Sequence, residues 1–142
     1  MTFVIDASVA VKFLTWEAGS QQAFAYIDSP EVLIAPDLVV PEVANALWKK
    51  VKQSELLEIH AQRSIDDLPE FFVRLESTLG LMRDAFRLSF QLRHAVYDCV
   101  YLALAIREDA ILATADRKFM NAISRSKLGR FAELLTWPDA GG

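Results

Sequence analysis

Short apolar runs alternate with longer stretches in which apolar residues recur every three or four positions, so strands should alternate with helices along the chain. Thr2-Phe3-Val4-Ile5 is β-branched and aromatic and predicts a buried strand. Residues 7–14 predict a short helix, which Gly19-Ser20 breaks, and residues 21–27 a second, ended by Ser29-Pro30. Residues 32–35 form the second predicted strand. Pro36 and Pro41 frame a loop, and the next helix carries Pro41 and Glu42 in its first turn, with Val43, Ala46, Leu47 and Val51 along its buried face. Another helix starts at Ser54-Glu55 and reaches about Asp67, where Pro69 closes the stretch. Residues 71–75 predict a third strand. Residues 79–92 predict an amphipathic helix with Leu81, Met82, Phe86 and Phe90 apolar. Residues 96–107 are apolar nearly all round, the pattern of a helix buried in the body. Residues 110–114 predict a fourth strand, 116–124 a helix and 134–137 a short last strand, with a loose tail from about residue 138.

Strands alternating with helices imply parallel pairing through right-handed crossovers. The expected fold class is therefore α/β, a three-layer α/β/α sandwich with a central parallel sheet of four to five strands. No internal repeat, linker or low-complexity segment divides the 142 residues, and a single domain over 1–142 is expected.

Composition narrows the class. Hydrophobic residues make up 53% of the chain and the mean hydropathy is +0.21, which two helix layers on a buried sheet, or an apolar surface covered by a partner, would explain. No apolar run approaches the ~20 residues that cross a bilayer, and no secretion signal is expected, because the N-terminus enters a strand directly. The one cysteine, Cys99, excludes an internal disulfide and suits a reducing cytoplasm. The net charge of -4 has the wrong sign for a generic nucleic-acid binder. It does not exclude a nuclease whose site carboxylates are cancelled by metal ions. Basic residues cluster at Lys49, Lys50 and Lys52, and again at Arg117, Lys118, Arg125, Lys127 and Arg130. A solvated helix face accounts for either cluster as well as a phosphate track does.

The candidate chemistry lies in four acids at junctions of one kind. Asp6 and Asp116 follow predicted strands, while Glu42 and Asp98 sit in the first turns of predicted helices. In a parallel sheet these junctions share one edge, beyond the carboxyl ends of the strands, where such folds bind ligands. Taken singly, each acid is also a good helix cap or dipole partner. Together they crowd negative charge that a divalent cation relieves, and a site of acids without a His or Cys set favours Mg²⁺ or Mn²⁺. Ser8, Asn45 and Thr114 are spaced to share sides with Asp6, Glu42 and Asp116, and could orient water or phosphate as readily as make ordinary turn hydrogen bonds. His60 and His94 are too few and too far apart for a zinc motif. Asp37 is a weaker candidate, and Lys12 is either a surface residue or, with Arg117, a neutraliser of a phosphate backbone.

The segments Val4-Ile5-Asp6-Ala7-Ser8, Pro41-Glu42-Val43-Ala44-Asn45, Tyr97-Asp98-Cys99-Val100-Tyr101-Leu102-Ala103 and Thr114-Ala115-Asp116 resemble, in order, the four motifs of the PIN-domain nucleases, and within them the VapC toxins of bacterial toxin–antitoxin pairs. The resemblance spans nearly the whole chain. Cys99, where the family often has a small residue, is a minor departure. The resemblance implies a Mg²⁺- or Mn²⁺-dependent endoribonuclease that cleaves RNA, often a structured tRNA or rRNA, and so inhibits translation. It implies Asp6, Asp98 and Asp116 as metal ligands for one or two ions, with Glu42 completing the acidic ring, and products with a 5′-phosphate and a 3′-hydroxyl. It also implies a VapB-type antitoxin that covers the site and reaches operator DNA, a homodimer, and a cytoplasmic protein with no membrane association.

Three other readings compete. A PIN nuclease of RNA maturation, outside any toxin pair, would share every motif. A non-catalytic protein-binding module would explain the hydrophobic content. A phosphoacceptor domain would need two adjacent acids after the first strand, where this chain has only Asp6.

Overall fold

The computed structural model describes residues 1–138. Strands β1 (Thr2–Ile5), β2 (Val32–Pro36), β3 (Arg74–Glu76), β4 (Ile111–Thr114) and β5 (Ala132–Leu134) form one parallel sheet in the order β3-β2-β1-β4-β5. The helices are α1 (Ala7–Leu14), α2 (Ser20–Asp28), α3 (Val39–Lys52), α4 (Glu58–Asp67), α5 (Met82–Leu92), α6 (Val96–Arg107) and α7 (Arg117–Ser124). Helices α1 to α4 pack against one another, while α6 lies across β1, β2 and β4 with α5 on its outer side. Right-handed crossovers place the two groups on opposite faces of the sheet, giving the three layers expected.

The chain runs outward from β1 in both directions, to β2 and β3 on one side and from β4 to β5 on the other. The switch point therefore lies between β1 and β4, where open α/β sheets receive ligands. Ile5 pairs with Ala113, and the Asp6 N–H donates to the Ala113 carbonyl at 3.3 Å. That register brings the residues after β1 and β4 out of the sheet side by side.

Helix α6 fulfils its all-round apolar pattern: Cys99 to Ala105 are all buried, between the sheet and α5. Val4, Ile5, Ile34 and Leu112 beneath it have no exposed surface.

The structure corrects several boundaries. Helix α3 begins at Val39, inside the loop expected between Pro36 and Pro41, while Pro41 and Glu42 lie in its first turn as predicted. The first four N–H groups of a helix lack intrahelical acceptors, so a proline there loses nothing. Helix α4 starts at Glu58, because Ser54 takes a left-handed φ of 62° after α3 and the next residues form a turn. Leu68–Phe71 closes into a 3₁₀ turn, which delays β3 to Arg74–Glu76. Strand β5 comes earlier than predicted, at Ala132–Leu134. The buried stripe of α5 runs Ala85, Leu88, Leu92, continued by Leu81 just before the helix, whereas Phe86 and Phe90 are 57% and 70% exposed and pack edge-to-face on each other. The segment from 138 onward lies almost wholly outside the described residues. No helix among those described is long and apolar enough to cross a membrane.

Candidate active site

Asp6 caps α1. Its Oδ1 accepts the Val9 N–H at 3.2 Å and the Ser8 hydroxyl at 2.5 Å. Asp116 caps α7 in the same way, accepting the Phe119 N–H at 3.1 Å. Capping and a role in a site are thus not alternatives, since each cap engages only one of two carboxylate oxygens. Ser8 and Thr114 tie the two junctions together. Ser8 Oγ accepts the Ala115 N–H at 2.9 Å and lies 3.5 Å from Thr114 Oγ1, which in turn accepts the Asp116 N–H at 3.1 Å. Thr114 is fully buried and Asp6 is 4% exposed.

Asp98 approaches from the first turn of α6. Its Oδ2 forms a 2.7 Å hydrogen bond with Nε2 of His94, and ligand atoms of His94, Asp98 and Asp116 all lie within 4.8 Å of one another. His94 is placed by the end of α5, where Arg93 turns left-handed at φ 54° and the His94 N–H caps the Ser89 carbonyl. The imidazole stacks on Phe119 of α7, with ring centroids 4.5 Å apart. One turn past Asp98, Tyr101 is buried and donates its hydroxyl to Glu42 Oε1 at 2.6 Å, bridging α6 to α3.

The electrostatics follow burial first and the neighbouring charges second. Burial pushes the Asp6 carboxyl up to about 7, the Asp98 charge adds to it, and hydrogen bonds from Ser8, Thr114 and Val9 only partly oppose it. Glu42 is raised by burial and by Asp98, against the Tyr101 hydrogen bond. Tyr101 is raised by burial, by the charge and hydrogen bond of Glu42, and by the charges of Asp6 and Asp98. Burial and Asp98 push the Cys99 thiol up to about 11, so it stays protonated at neutral pH.

The four acids, Ser8 and Thr114 thus share one end of the sheet, and Asn45 is exposed one turn beyond Glu42. Asp37 is spent on a long-range contact between the segments that follow β2 and β3, accepting the Thr78 N–H and hydroxyl. Lys12 is neither a surface residue nor turned to a ligand. It is 6% exposed, bonded to Glu17 at 3.1 Å and to the Ala18 carbonyl at 2.6 Å, with the Trp137 ring over its ammonium. His94 and Tyr101 are the contacts that the sequence did not single out. The only available signal was spacing, four residues before and three after Asp98.

The sequence pattern of the PIN domain matches residues 3–123. The chain belongs to the PIN-domain family. Its relatives include Ribonuclease VapC3 of Pyrobaculum aerophilum, 35% identical over 83% of this chain and 92% of that protein. Ribonuclease VapC1 of Mycobacterium tuberculosis is 30% identical over 84% and 89%. Within the PIN-domain family the chain therefore groups with the VapC ribonucleases. Among solved structures, PAE2754 of Pyrobaculum aerophilum superposes with a TM-score of 0.65 at 20% identity, over 90% of this chain and 81% of that one. VapBC2 of Rickettsia felis, bound to a DNA fragment from their promoter, gives 0.63 at 14% identity, over 97% and 100%. Both share the PIN fold seen here, a parallel sheet between two helix layers.

Proposed function

We propose that this PIN domain is the toxin of a toxin–antitoxin pair, an endoribonuclease that depends on Mg²⁺ or Mn²⁺ and cuts structured RNA such as tRNA or rRNA to stop translation in the cytoplasm. The observation that carries this reading is the convergence of Asp98, Asp116 and His94 within 4.8 Å at the switch point, with Asp6 and Glu42 electrically coupled to Asp98. The donor set suits a hard divalent cation: carboxylates predominate, and burial raises the Asp6 carboxyl, a cost that a bound cation would offset. Asp6, Asp98 and Asp116 would hold the ion, with Glu42 completing the ring and His94 bonded to Asp98. When bound, the cation supplies Lewis-acid polarisation of the scissile phosphate and activation of water.

The chain's own residues do the rest. Ser8 and Thr114 hold the Asp6 and Asp116 junctions in register, and Asn45 is available to orient water or phosphate. Tyr101 keeps Glu42 aimed at the cluster. The VapC relatives support RNA as substrate, and a VapB-type antitoxin with access to operator DNA, and a homodimer, belong to the same proposal. Incubating purified protein with total RNA tests it. Cleavage with Mg²⁺ or Mn²⁺ that chelation stops and Asp98→Asn abolishes is expected, with products bearing a 5′-phosphate. Equal cleavage by Asp98→Asn contradicts the assignment.

A further inference from the structure

Beside the acid cluster, a groove of about 590 Å³ runs between the end of α5 and the far end of α7. Arg93, Lys118, Arg125 and Lys127 line it, and His94 closes one end. All four cations are exposed, and none of them takes part in an ion pair among the described residues. This sets them apart from much of the remaining basic surface. Lys50 is tied to Glu17, Arg74 and Arg107 to Glu76 and Glu108, Arg87 to Asp84 and Arg130 to Asp109. Lys52 lies over the Trp48 ring.

Four unpaired positive charges in one concavity leave uncompensated repulsion that a polyanion would relieve. A chain of net charge -4, with an acidic ring at its centre, repels RNA overall, so a locally basic channel is what would bring a backbone to the ring. The groove meets that ring at His94, which contacts Asp98 at 2.7 Å. We infer that this groove is the track for the RNA backbone on one side of the scissile phosphate, with Arg93, Lys118, Arg125 and Lys127 neutralising successive phosphates. Its lining offers charges and aliphatic stems, with Leu92 and Ala122 on the wall, and no exposed aromatic ring on which a base could stack. The track therefore grips phosphates without reading bases. The inference rests on the ribonuclease reading for the identity of the polyanion.

The test separates binding from cutting. A fluorescently labelled single-stranded RNA of a dozen nucleotides is titrated with wild type and with the triple variant Lys118→Ala, Arg125→Ala, Lys127→Ala, in EDTA, over a series of salt concentrations. Exposed charges are replaced, so both proteins should unfold at the same temperature, and the single variant Lys118→Glu is a second probe. Wild type should bind with an affinity that falls steeply with salt. The triple variant should bind at least tenfold more weakly, with the slope of log affinity against log salt reduced by roughly 0.7 for each phosphate that is no longer neutralised. In cleavage assays the loss should appear in KM and not in kcat. Unchanged affinity and slope in both variants would overturn the groove assignment, even if the wild type cuts RNA. Conversely, weakened binding in the variants with no cleavage by wild type would keep the groove and sink the ribonuclease reading.

Discussion

Nε2 of His94 lies 2.7 Å from Oδ2 of Asp98, across the join between α5 and α6. This hydrogen bond holds the Asp98 carboxylate toward Asp116, and stacking on Phe119 fixes the imidazole in turn. Groups that orient a metal-binding carboxylate are typically worth about 10–100-fold in metal affinity. His94→Ala is therefore expected to weaken Mn²⁺ binding by about that factor, measured by calorimetry, with little change in unfolding temperature. An unchanged dissociation constant would remove His94 from the site.

Asp6 predicts an unusual pH dependence. Its carboxyl is raised to about 7 in the folded chain from an ordinary 3.8, so the folded state holds the proton more tightly than the unfolded one. Its contribution to stability is complete below about pH 4 and is lost as pH rises through 7. Glu42 shifts in the same direction. Glu17 and Glu76 shift the opposite way, but their losses begin only at more acidic pH. In EDTA, urea unfolding at pH 5 should thus exceed that at pH 8 in free energy by up to about 2–3 kcal/mol. Asp6→Asn keeps the Oδ1 cap and should flatten the profile. A protein more stable at pH 8, or an unchanged slope in Asp6→Asn, would show that burial does not raise the Asp6 carboxyl.

Much of the fold was legible because the strongest patterns were also the ones that place the site. The limits of α6 coincide with its apolar run, and the Asp6 and Asp116 junctions follow strands too apolar to be anything else. The mismatches fall where side chains are spent on local tertiary contacts. The sequence pattern extends β5 to Trp137, but that ring covers Lys12 and lies 2.7 Å from where a Cβ would stand on Gly19, whose φ of 89° only glycine adopts easily. Phe86 and Phe90 match a helical period as well as the true stripe does, and only packing shows which side faces the core. His94 belongs to no motif. A left-handed Arg93 delivers it to the cluster, and no local pattern announces that turn.

Tyr101 gives a third prediction. Its hydroxyl donates to Glu42 at 2.6 Å, and Tyr101→Phe would leave a half-buried carboxylate without that donor. The expected cost is about 1 kcal/mol in urea unfolding at pH 8, smaller at pH 5 where Glu42 protonates more readily. A loss that is the same at both pH values would mean the hydroxyl supports packing and not the charge of Glu42.

Whether the carboxylates at the β1–β4 switch point hold a divalent cation is decided by crystals soaked in Mn²⁺ and recorded at the manganese edge. An anomalous peak is expected in contact with Asp98 and at least one of Asp6 and Asp116, and it should be absent from Asp98→Asn crystals. A peak elsewhere, or no peak with these side chains ordered as described, would refute the metal site and with it the nuclease mechanism.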